Sequence, residues 1–370
     1  MVKRLVFKHL LLSDLALLNS VTLLLNFINI FFLVCVPLID RENQVLLESL
    51  PIVGFSGIMV LMFIWFFEQF AKFIVKWICV ADILCGTLLL LLFSGLPGLK
   101  MSWLYYFFAV ILGICLVGNQ TSSLRIAINQ AKQTSLRQNL STFNALKVIG
   151  TALGFVCACF LAGDNFFIIF GRLIISIVGI LLIYLAVVYF QRFHNNFQFN
   201  QVTSEEEVNN LVFSENLVKT ISGICFIIVD LVVFNFWYSY IPAKLTKMPG
   251  ITEEFVGIFL AIQCLTHAGG QFLWRRICTG LGEIYTYLIS LSAHVIIVFI
   301  ITSTFHYTIS EFMVLFLVMG IVNSGTYIAS TTWYYSSGYP VSKYSRIAVH
   351  QIASNIGKWI GTGMAIWIIK

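Results

Sequence analysis

Apolar stretches of about 20 residues follow one another along most of the chain, and this pattern restricts the fold more than any other feature. A helix of that length crosses the hydrocarbon core of a bilayer, where only helices and closed barrels satisfy every backbone polar group. The 370 residues are 59% hydrophobic and 10% charged, far outside the range of soluble domains. The sequence therefore predicts an all-α polytopic membrane protein.

Hydropathy windows predict about eleven membrane-spanning helices in two groups. The groups are separated by residues 192–217, the only long hydrophilic stretch. We therefore expect an N-terminal six-helix bundle in 1–191, a cytoplasmic linker in 192–217 and a C-terminal five-helix bundle in 218–370. The predicted spans lie near 10–38, 49–69, 74–96, 102–124, 140–162, 165–191, 218–241, 252–273, 283–304, 308–332 and 346–369.

Lysine and arginine residues collect on one side of the predicted spans. If the N-terminus lies in the cytoplasm, most of them fall in cytoplasmic loops, Arg125 and Arg346 among them. That distribution follows the positive-inside rule, so we expect a cytoplasmic N-terminus. Compact loops and a bias towards Ile, Phe, Asn and Lys favour a bacterial inner (plasma) membrane.

Several classes of protein are disfavoured by what the sequence lacks. The net charge of +6 is scattered, with no basic block that would suit a nucleic acid. The nine cysteines form no C-x-x-C pair, a pattern typical of buried thiols. No P-loop, H-E-x-x-H or G-x-S-x-G occurs. We therefore expect no nucleic-acid partner, no metal, no cofactor and no enzyme activity.

Two short runs repeat one pattern inside the apolar spans. Both 144-NALKVIGT-151 and 355-NIGKWIGT-362 read N-x-x-K-x-I-G-T, and each lies in the fifth span of its group. Other pairs follow in the same order along the chain: Pro37 with Pro242, Gly54 with Gly257, and Asn119 with Asn323. The sequence therefore predicts two related halves, an architecture in which transporters bind their solute between the halves near the midplane.

The loops after the second and eighth spans carry further signals. The first, 68-EQFAKFIVKW-77, has Glu68, Lys72 and Lys76, and the second, 270-GQFLWRRICTGLGE-283, has Arg275 and Arg276. With its six spans, a polar linker and a second, similar set of spans, the whole chain resembles the major facilitator superfamily of secondary transporters. That resemblance implies alternating access, lipid and a small solute as partners, and a cytoplasmic gating role for these five loop residues.

The sequence also departs from that family in two places. The fifth span has Gly150 and Gly154 but Phe155 where family exporters often carry a proline, so the resemblance favours export only slightly. A twelfth span is not recognisable. Its loss could leave the cavity intact, because the resemblance makes that helix an outer support. The alternative is a non-transporting membrane assembly or interaction subunit derived from a transporter.

The repeated lysines are the leading candidate site residues. A lysine at the centre of a membrane helix costs about 2.5–3.5 kcal/mol on insertion scales, so it should face a cavity or a partner. Lys147 and Lys358 therefore either flank the central pathway, where they would attract an anionic substrate or pair with acids, or extend to the cytoplasmic surface. Lys358 lies deeper, which favours the pathway for that residue.

Asp230, near the middle of the seventh span, is the candidate proton carrier, and pairing with Lys358 is its alternative role. His267 and His294 lie at mid-depth, where packing is the commoner role and proton transfer the rarer one. Possible substrate contacts are Asn26, Asn29, Asn235 and Tyr238. We therefore predict a proton-coupled secondary transporter of a small organic solute.

Overall fold

The computed structural model describes residues 14–39, 44–66, 71–93, 102–129, 133–161, 165–195, 210–245, 253–303, 308–336 and 343–369. Its regular secondary structure in these segments is entirely helical, as the sequence predicts. The eleven helices are α1 (Asp14–Ile39), α2 (Gln44–Phe66), α3 (Ala71–Phe93), α4 (Ser102–Asn129), α5 (Gln133–Leu161), α6 (Asn165–Asn195), α7 (Asn210–Leu245), α8 (Glu253–Leu281), α9 (Glu283–Ser303), α10 (Ile309–Ser336) and α11 (Lys343–Ile369).

Each helix coincides with one predicted span. Eight of them are long and apolar enough to cross a membrane, and α2 and α3 contain shorter apolar stretches. The helix α11 carries the polar residues His350, Asn355 and Lys358 and is in neither group. The chain is an integral multi-pass membrane protein. Residues 196–209, most of the predicted linker, lie outside the described residues, so the linker boundaries stay a prediction.

The two halves use the same helix pairings. In the N-terminal half, α1 packs against α5, α2 against α4 and α3 against α4. In the C-terminal half, α7 packs against α11, α8 against α10 and α9 against α10. Each of these three pairings therefore has its counterpart six helices later, which confirms the two pseudo-symmetric bundles.

Glycine explains why the octapeptide repeats. A Cβ added at Gly150 would lie 2.1 Å from the carbonyl oxygen of Leu23 on α1. One added at Gly361 would lie 2.3 Å from the carbonyl oxygen of Val232 on α7. Only glycine permits so close an approach of two helix backbones. The motif thus seats the fifth helix of each half on the first helix of that half, and it carries its lysine to an equivalent place.

The outer support helix α6 packs against α3 in the N-terminal half. Within the described part of the chain, the C-terminal half has no helix at the corresponding position on α9. The outer face of α9 is exposed there, with Tyr285 and Phe299 as its most exposed aromatic residues. An apolar groove of about 400 Å³ runs beside it, lined by Phe236, Tyr240, Val295, Val298, Phe299 and Ile368.

The three largest apolar clusters among the described residues hold the helices together. One lies within the N-terminal half, where Phe32 and Phe108 meet edge to face at 5.1 Å between ring centroids. A second surrounds Trp237 in the C-terminal half and includes Phe155 of α5. The third joins α4 and α5 to α7, α10 and α11, with Phe143 and Tyr334 among its buried residues. The second and third clusters therefore cross the boundary between the halves.

The halves also meet through direct packing of their helices and through an ion pair. The helix α5 packs along α8, and α11 touches α2 over a shorter stretch. At the start of α5, Arg137 forms an ion pair with Glu283 and lies 3.4 Å from the hydroxyl of Thr279. Gly282, with φ +81°, makes the sharp turn between α8 and α9 that presents Glu283 to Arg137. The predicted cytoplasmic end is therefore closed by an ion pair beside an apolar cluster.

Candidate transport pathway

Lys147 and Lys358 lie within electrostatic range of each other across the boundary between the halves. The side chain of Lys147 on α5 is half-buried, and that of Lys358 on α11 is exposed. Both also lie within electrostatic range of His350, which is buried. The two side chains, one from each half, therefore lie in the same region of the molecule. Whether the lysines line the pathway or extend to the surface stays a prediction.

Neither lysine has an acidic partner among the described residues. The ion pair between Arg137 and Glu283 lies at the end of the molecule, away from both. The proposed pairing of Asp230 with Lys358 is not made, because Asp230 contacts the hydroxyl of Thr326 instead. The lysines thus form a pair of like charges that no described carboxylate neutralises.

His350 and its neighbours lie where the end of α10 meets the start of α11. The hydroxyl of Tyr335 lies 2.6 Å from Nδ1 of His350. Arg346 donates from Nη2 to the carbonyl oxygens of Tyr334 and Tyr335 at 2.8 and 2.9 Å. These contacts join the end of α10 to the start of α11 beside the third apolar cluster. Sequence reasoning missed Tyr335 and His350, because nothing in their spacing shows that the two helices meet there.

His267 is the centre of a polar network that crosses between the halves. Its Nε2 lies 2.9 Å from Nδ2 of Asn144 on α5 and 2.8 Å from Nε2 of Gln271. Its Nδ1 lies 2.9 Å from Nδ2 of Asn323. A neutral imidazole has only one acceptor nitrogen, so three amide groups cannot all donate to it. If the side-chain amide of Gln271 or Asn323 is turned over, its oxygen replaces its nitrogen beside the ring. That buried oxygen, which is otherwise unpaired among the described residues, then accepts a hydrogen bond from the ring N–H.

His294 extends this network into α9. Its ring is fully buried and lies within electrostatic range of His267. Neither of its ring nitrogens has a hydrogen-bond partner among the described residues. A proton role for the two histidines stays a prediction.

Asp230 lies on α7 and is buried, with 3% of its surface exposed. Its Oδ1 has no hydrogen-bond partner within the described segments. Tyr287 and Tyr327 lie within electrostatic range of the carboxylate. The group is therefore enclosed by α7, α9 and α10, in the C-terminal half rather than between the halves.

The four possible substrate contacts differ in what they have left to offer. Asn26 is buried and donates to the carbonyl oxygen of Thr22 at 2.7 Å. Asn235 donates to the carbonyl oxygen of Leu231 at 2.8 Å. Each amide thus uses a donor inside its own helix. Asn29 is half-buried on α1.

Tyr238 lies at the boundary between the halves. Its ring centroid is 6.0 Å from that of Phe155 on α5, and its hydroxyl is 3.3 Å from Sγ of Cys264. Aromatic rings at this boundary are suited to contacting an organic solute. A role as a substrate contact stays a prediction for Tyr238, as for the three asparagines.

The predicted gating loops are only partly described. Glu68 lies outside the described residues, and so do the side chains of Lys72 and Lys76. Arg275 is half-buried, with its guanidinium 5.7 Å from the ring centroid of Phe272, and Arg276 is exposed. A gating role for these five residues stays a prediction.

One buried pair away from the boundary was not expected. Nδ2 of Asn119 donates to both carboxylate oxygens of Asp82, at 2.8 and 3.0 Å. Both side chains are buried between α3 and α4. The sequence did contain one signal for this site. Asn119 and Asn323 are equivalent positions of the repeat, and each places a polar residue on the fourth helix of its half.

Comparisons with known proteins place this architecture in a class. No family model matches the sequence, and no curated protein matches it either. Among solved structures, the major facilitator superfamily proton:xylose symporter XylE, bound to 6-bromo-6-deoxy-D-glucose, is similar with a TM-score of 0.66 and 12% identity over 96% of this chain and 87% of that one. A bacterial homologue of the iron transporter ferroportin, in an outward-facing state with soaked iron, is similar with a TM-score of 0.58 and 14% identity over 95% and 89%.

These similarities define the fold. The chain has the fold of major facilitator superfamily transporters, as the sequence resemblance implied. Both of these structural neighbours are transporters. Within the described residues, no group of three His, Cys, Asp or Glu side chains is arranged to hold a metal ion.

Proposed function

We propose that this protein is a secondary transporter that moves a small organic solute across the membrane by alternating access between its two halves. One observation carries the proposal. Lys147 and Lys358 occupy equivalent places in the two halves and lie within electrostatic range of each other, without an acidic partner among the described residues. Charged residues inside a membrane protein mark substrate or ion pathways, since they are costly elsewhere.

The closed end of the molecule supports alternating access. Phe143, Leu140 and Tyr334 fill the space between the halves on one side of the lysines. Rocking of the halves in such folds opens one side of a central site while it closes the other. The lysines would then be reached from the opposite side in this state. With a cytoplasmic N-terminus, which the charge distribution favours, the closed side is the cytoplasmic one.

Proton coupling through Asp230 is the finer part of the proposal. The carboxylate is buried at the middle of α7, and one of its oxygens is unpaired within the described part of the chain. Burying a charged carboxylate is costly, so its protonation would change with the state of the transporter. We further propose export as the direction, on the Gly150 and Gly154 pattern, and the bacterial inner membrane as the location.

The test of coupling uses purified protein in proteoliposomes with a pH-sensitive dye inside. Wild-type protein should move protons when a transported solute is added. Asp230→Asn should reduce this flux at least about tenfold, because an amide cannot release a proton. Solute exchange at equal pH should persist, because the amide resembles the protonated acid. Asp82→Asn is the matched control, a buried acid on a support helix, and should leave the flux unchanged.

Equal proton fluxes in wild type and Asp230→Asn would contradict coupling through that residue.

A non-transporting assembly subunit is the second candidate function. The exposed apolar residues of α9, Tyr285 and Phe299 among them, favour it. Folded protein that moves no solute, and that co-purifies from native membranes with another membrane protein, would support this alternative.

A further inference from the structure

The two sides of the boundary between the halves are unequal. On one side, α5 packs against α8 as extensively as it packs against α1 of its own half. On the other side, α11 is the counterpart of α5 in the repeat, and it touches α2 over a shorter stretch. Two halves with the same internal helix pairings would make equal contacts on both sides if they met symmetrically. The halves therefore meet more closely at α5 and α8 than at α2 and α11.

The helix α5 contacts the C-terminal half along much of its length. Phe143 lies in the third apolar cluster, which includes residues of α7, α10 and α11. Next along the helix, Nδ2 of Asn144 lies 2.9 Å from Nε2 of His267 on α8. Ala152 and Phe155 follow in the second apolar cluster, among residues of α7 and α8. From Phe143 to Phe155 these contacts extend over about 18 Å of helix, well beyond the closed end.

The equivalent residues of α11 are exposed instead. The repeat places Trp359 and Gly363 on α11 where α5 has Val148 and Ala152. Val148 packs against the second apolar cluster, and Ala152 lies within it with 1% of its surface exposed. Trp359 is 65% exposed, and a Cβ added at Gly363 would meet no atom within 4 Å. The face of α5 that contacts the other half is therefore covered, whereas the equivalent face of α11 is exposed.

The contacts of α5 differ in how readily they can break. If the middle of α5 moved away from α8, the buried amide of Asn144 would lose its partner His267, and a buried polar group without a partner is costly. The close packing around Phe155 would be lost as well. At the start of α5, by contrast, the ion pair of Arg137 with Glu283 is partly exposed, so water can replace it. The middle of α5 is therefore held more firmly than its start.

Resting on the transport function proposed above, we propose that the halves turn about a fixed hinge on one side of the molecule, formed by residues 144–155 of α5 against α7 and α8. This hinge stays closed in every state. In the present state the halves are separated between α2 and α11. When the ion pair of Arg137 breaks and the closed end opens, α2 and α11 come together. The solute therefore passes beside α11 rather than beside α5.

Spin labels at equivalent positions of the repeat compare the two sides directly. One pair, Leu153 with Ile258, spans α5 and α8, and its counterpart, Met364 with Phe55, spans α11 and α2. All four side chains are exposed, so labels there leave the buried packing intact. Electron–electron distances are measured on the full-length protein in lipid nanodiscs, in a variant whose reactive cysteines are replaced. Each pair is measured with and without Arg137→Gln, which weakens the closed end.

The hinge requires different responses from the two labelled pairs. In Arg137→Gln, the fraction of molecules with a short α2–α11 distance should rise about fivefold, the change that loss of one partly exposed ion pair produces in a two-state equilibrium. The α5–α8 pair should keep one distance, the same with and without the substitution. A third pair of labels, at Gln138 and Tyr285, should show that the closed end opens as α2 and α11 approach.

Two asparagine variants test the hydrogen bond at the hinge. Asn144→Ala removes the contact with His267 and should broaden the distance distribution of the α5–α8 pair, because α5 then separates from α8 in part of the molecules. Asn355→Ala is the matched control, since it changes the equivalent residue of α11. It should leave the α5–α8 distribution unchanged. Each variant is first shown to be monodisperse by gel filtration.

The outcomes separate the hinge from transport itself. A constant α5–α8 distance with a shortened α2–α11 distance supports the hinge. Equal shortening of both pairs means that the halves rock symmetrically, which overturns the hinge but leaves alternating access. Unchanged distances at all three pairs overturn the proposed motion, and only a parallel absence of solute and proton flux would count against transport. An unchanged α5–α8 distribution in Asn144→Ala overturns the role of its hydrogen bond.

Discussion

Asp82 and Asp230 are two buried carboxylates whose surroundings assign them different roles. Both oxygens of Asp82 accept hydrogen bonds from Asn119, so the group is fully engaged in holding α3 against α4. Asp230 contacts the hydroxyl of Thr326, and one of its oxygens has no hydrogen-bond partner in the described segments. A satisfied acid stabilises the fold, whereas an incompletely satisfied one is free to exchange a proton or a hydrogen bond.

We expect Asn119→Leu to destabilise the protein. The change leaves a buried carboxylate without its donor, which costs about 1–3 kcal/mol or more for a charged group. Thermal unfolding in detergent should therefore begin at a lower temperature than in wild type. Replacing both partners, Asp82→Leu with Asn119→Leu, should recover much of the loss, because no polar group is then left unpaired. Equal unfolding temperatures for Asn119→Leu and wild type would show that the hydrogen bonds contribute nothing.

The lysines illustrate how far sequence reasoning reaches at the level of single residues. Lys147 and Lys358 could be selected because a charge inside an apolar helix is costly and because both occur in one repeated motif. Their distance from Asp230 could not be predicted. The side of α7 that carries Asp230 depends on how α7 packs against α9 and α10, and single-span periodicity does not contain that information.

At the level of helices, small residues determine which pairs approach closely. Gly113 of α4 would place a Cβ 2.2 Å from the carbonyl oxygen of Val53 on α2, and Gly320 of α10 would place one 2.3 Å from that of Gln263 on α8. The second and fourth helices of each half are thus joined in the same way, as the first and fifth are. Repeated glycines therefore encode repeated helix pairings.

Two glycines on α11 allow a matched test. Gly361→Ala would place a Cβ 2.3 Å from the carbonyl oxygen of Val232, whereas a Cβ at Gly363 meets no atom within 4 Å. We expect Gly361→Ala to lower the unfolding free energy by about 1–3 kcal/mol, because α11 must move away from α7. Gly363→Ala should be neutral or slightly stabilising, since alanine favours helix over glycine by about 0.5–1 kcal/mol. Thermal unfolding in detergent measures both.

If the two alanine variants unfold at the same temperature, close packing at Gly361 is not needed for stability.

The helices themselves could be predicted because a membrane span is a local property of about 20 residues. The pairing of α1 with α5 was partly predictable from the glycines. The long contact between α5 and α8 was not, because it depends on how the two finished halves fit together.

For the whole molecule, the question is what holds the halves together at one end and leaves the lysines accessible. Two elements act there. Leu140 and Phe143 of α5 enter an apolar cluster with Tyr334 of α10. Beside it, Arg137 forms an ion pair with Glu283, and both side chains are partly exposed. The cluster resists separation through burial of apolar surface, while the ion pair acts through charge and is open to solvent.

The ion pair should therefore adjust the balance between states rather than maintain the fold. A partly exposed pair contributes about 1 kcal/mol at most, which corresponds to about a fivefold change in a two-state equilibrium. We expect Arg137→Gln to increase the fraction of molecules with this end open. Spin labels at Gln138 and Tyr285, both exposed, report the separation of α5 and α9 by electron–electron distance measurement in a variant whose reactive cysteines are replaced.

The charge swap Arg137→Glu with Glu283→Arg distinguishes the ion pair from the individual side chains. If attraction between the two charges closes this end, the swap should restore the short distances that Arg137→Gln loses, and high salt should weaken closure in wild type and in the swap alike. Arg172→Gln, which removes a cation far from the boundary, should leave the distances as they are in wild type. A distance distribution in Arg137→Gln that matches wild type would mean that the apolar cluster around Phe143 closes this end by itself. Opening would then depend on how strongly solute and protons favour separation of that cluster.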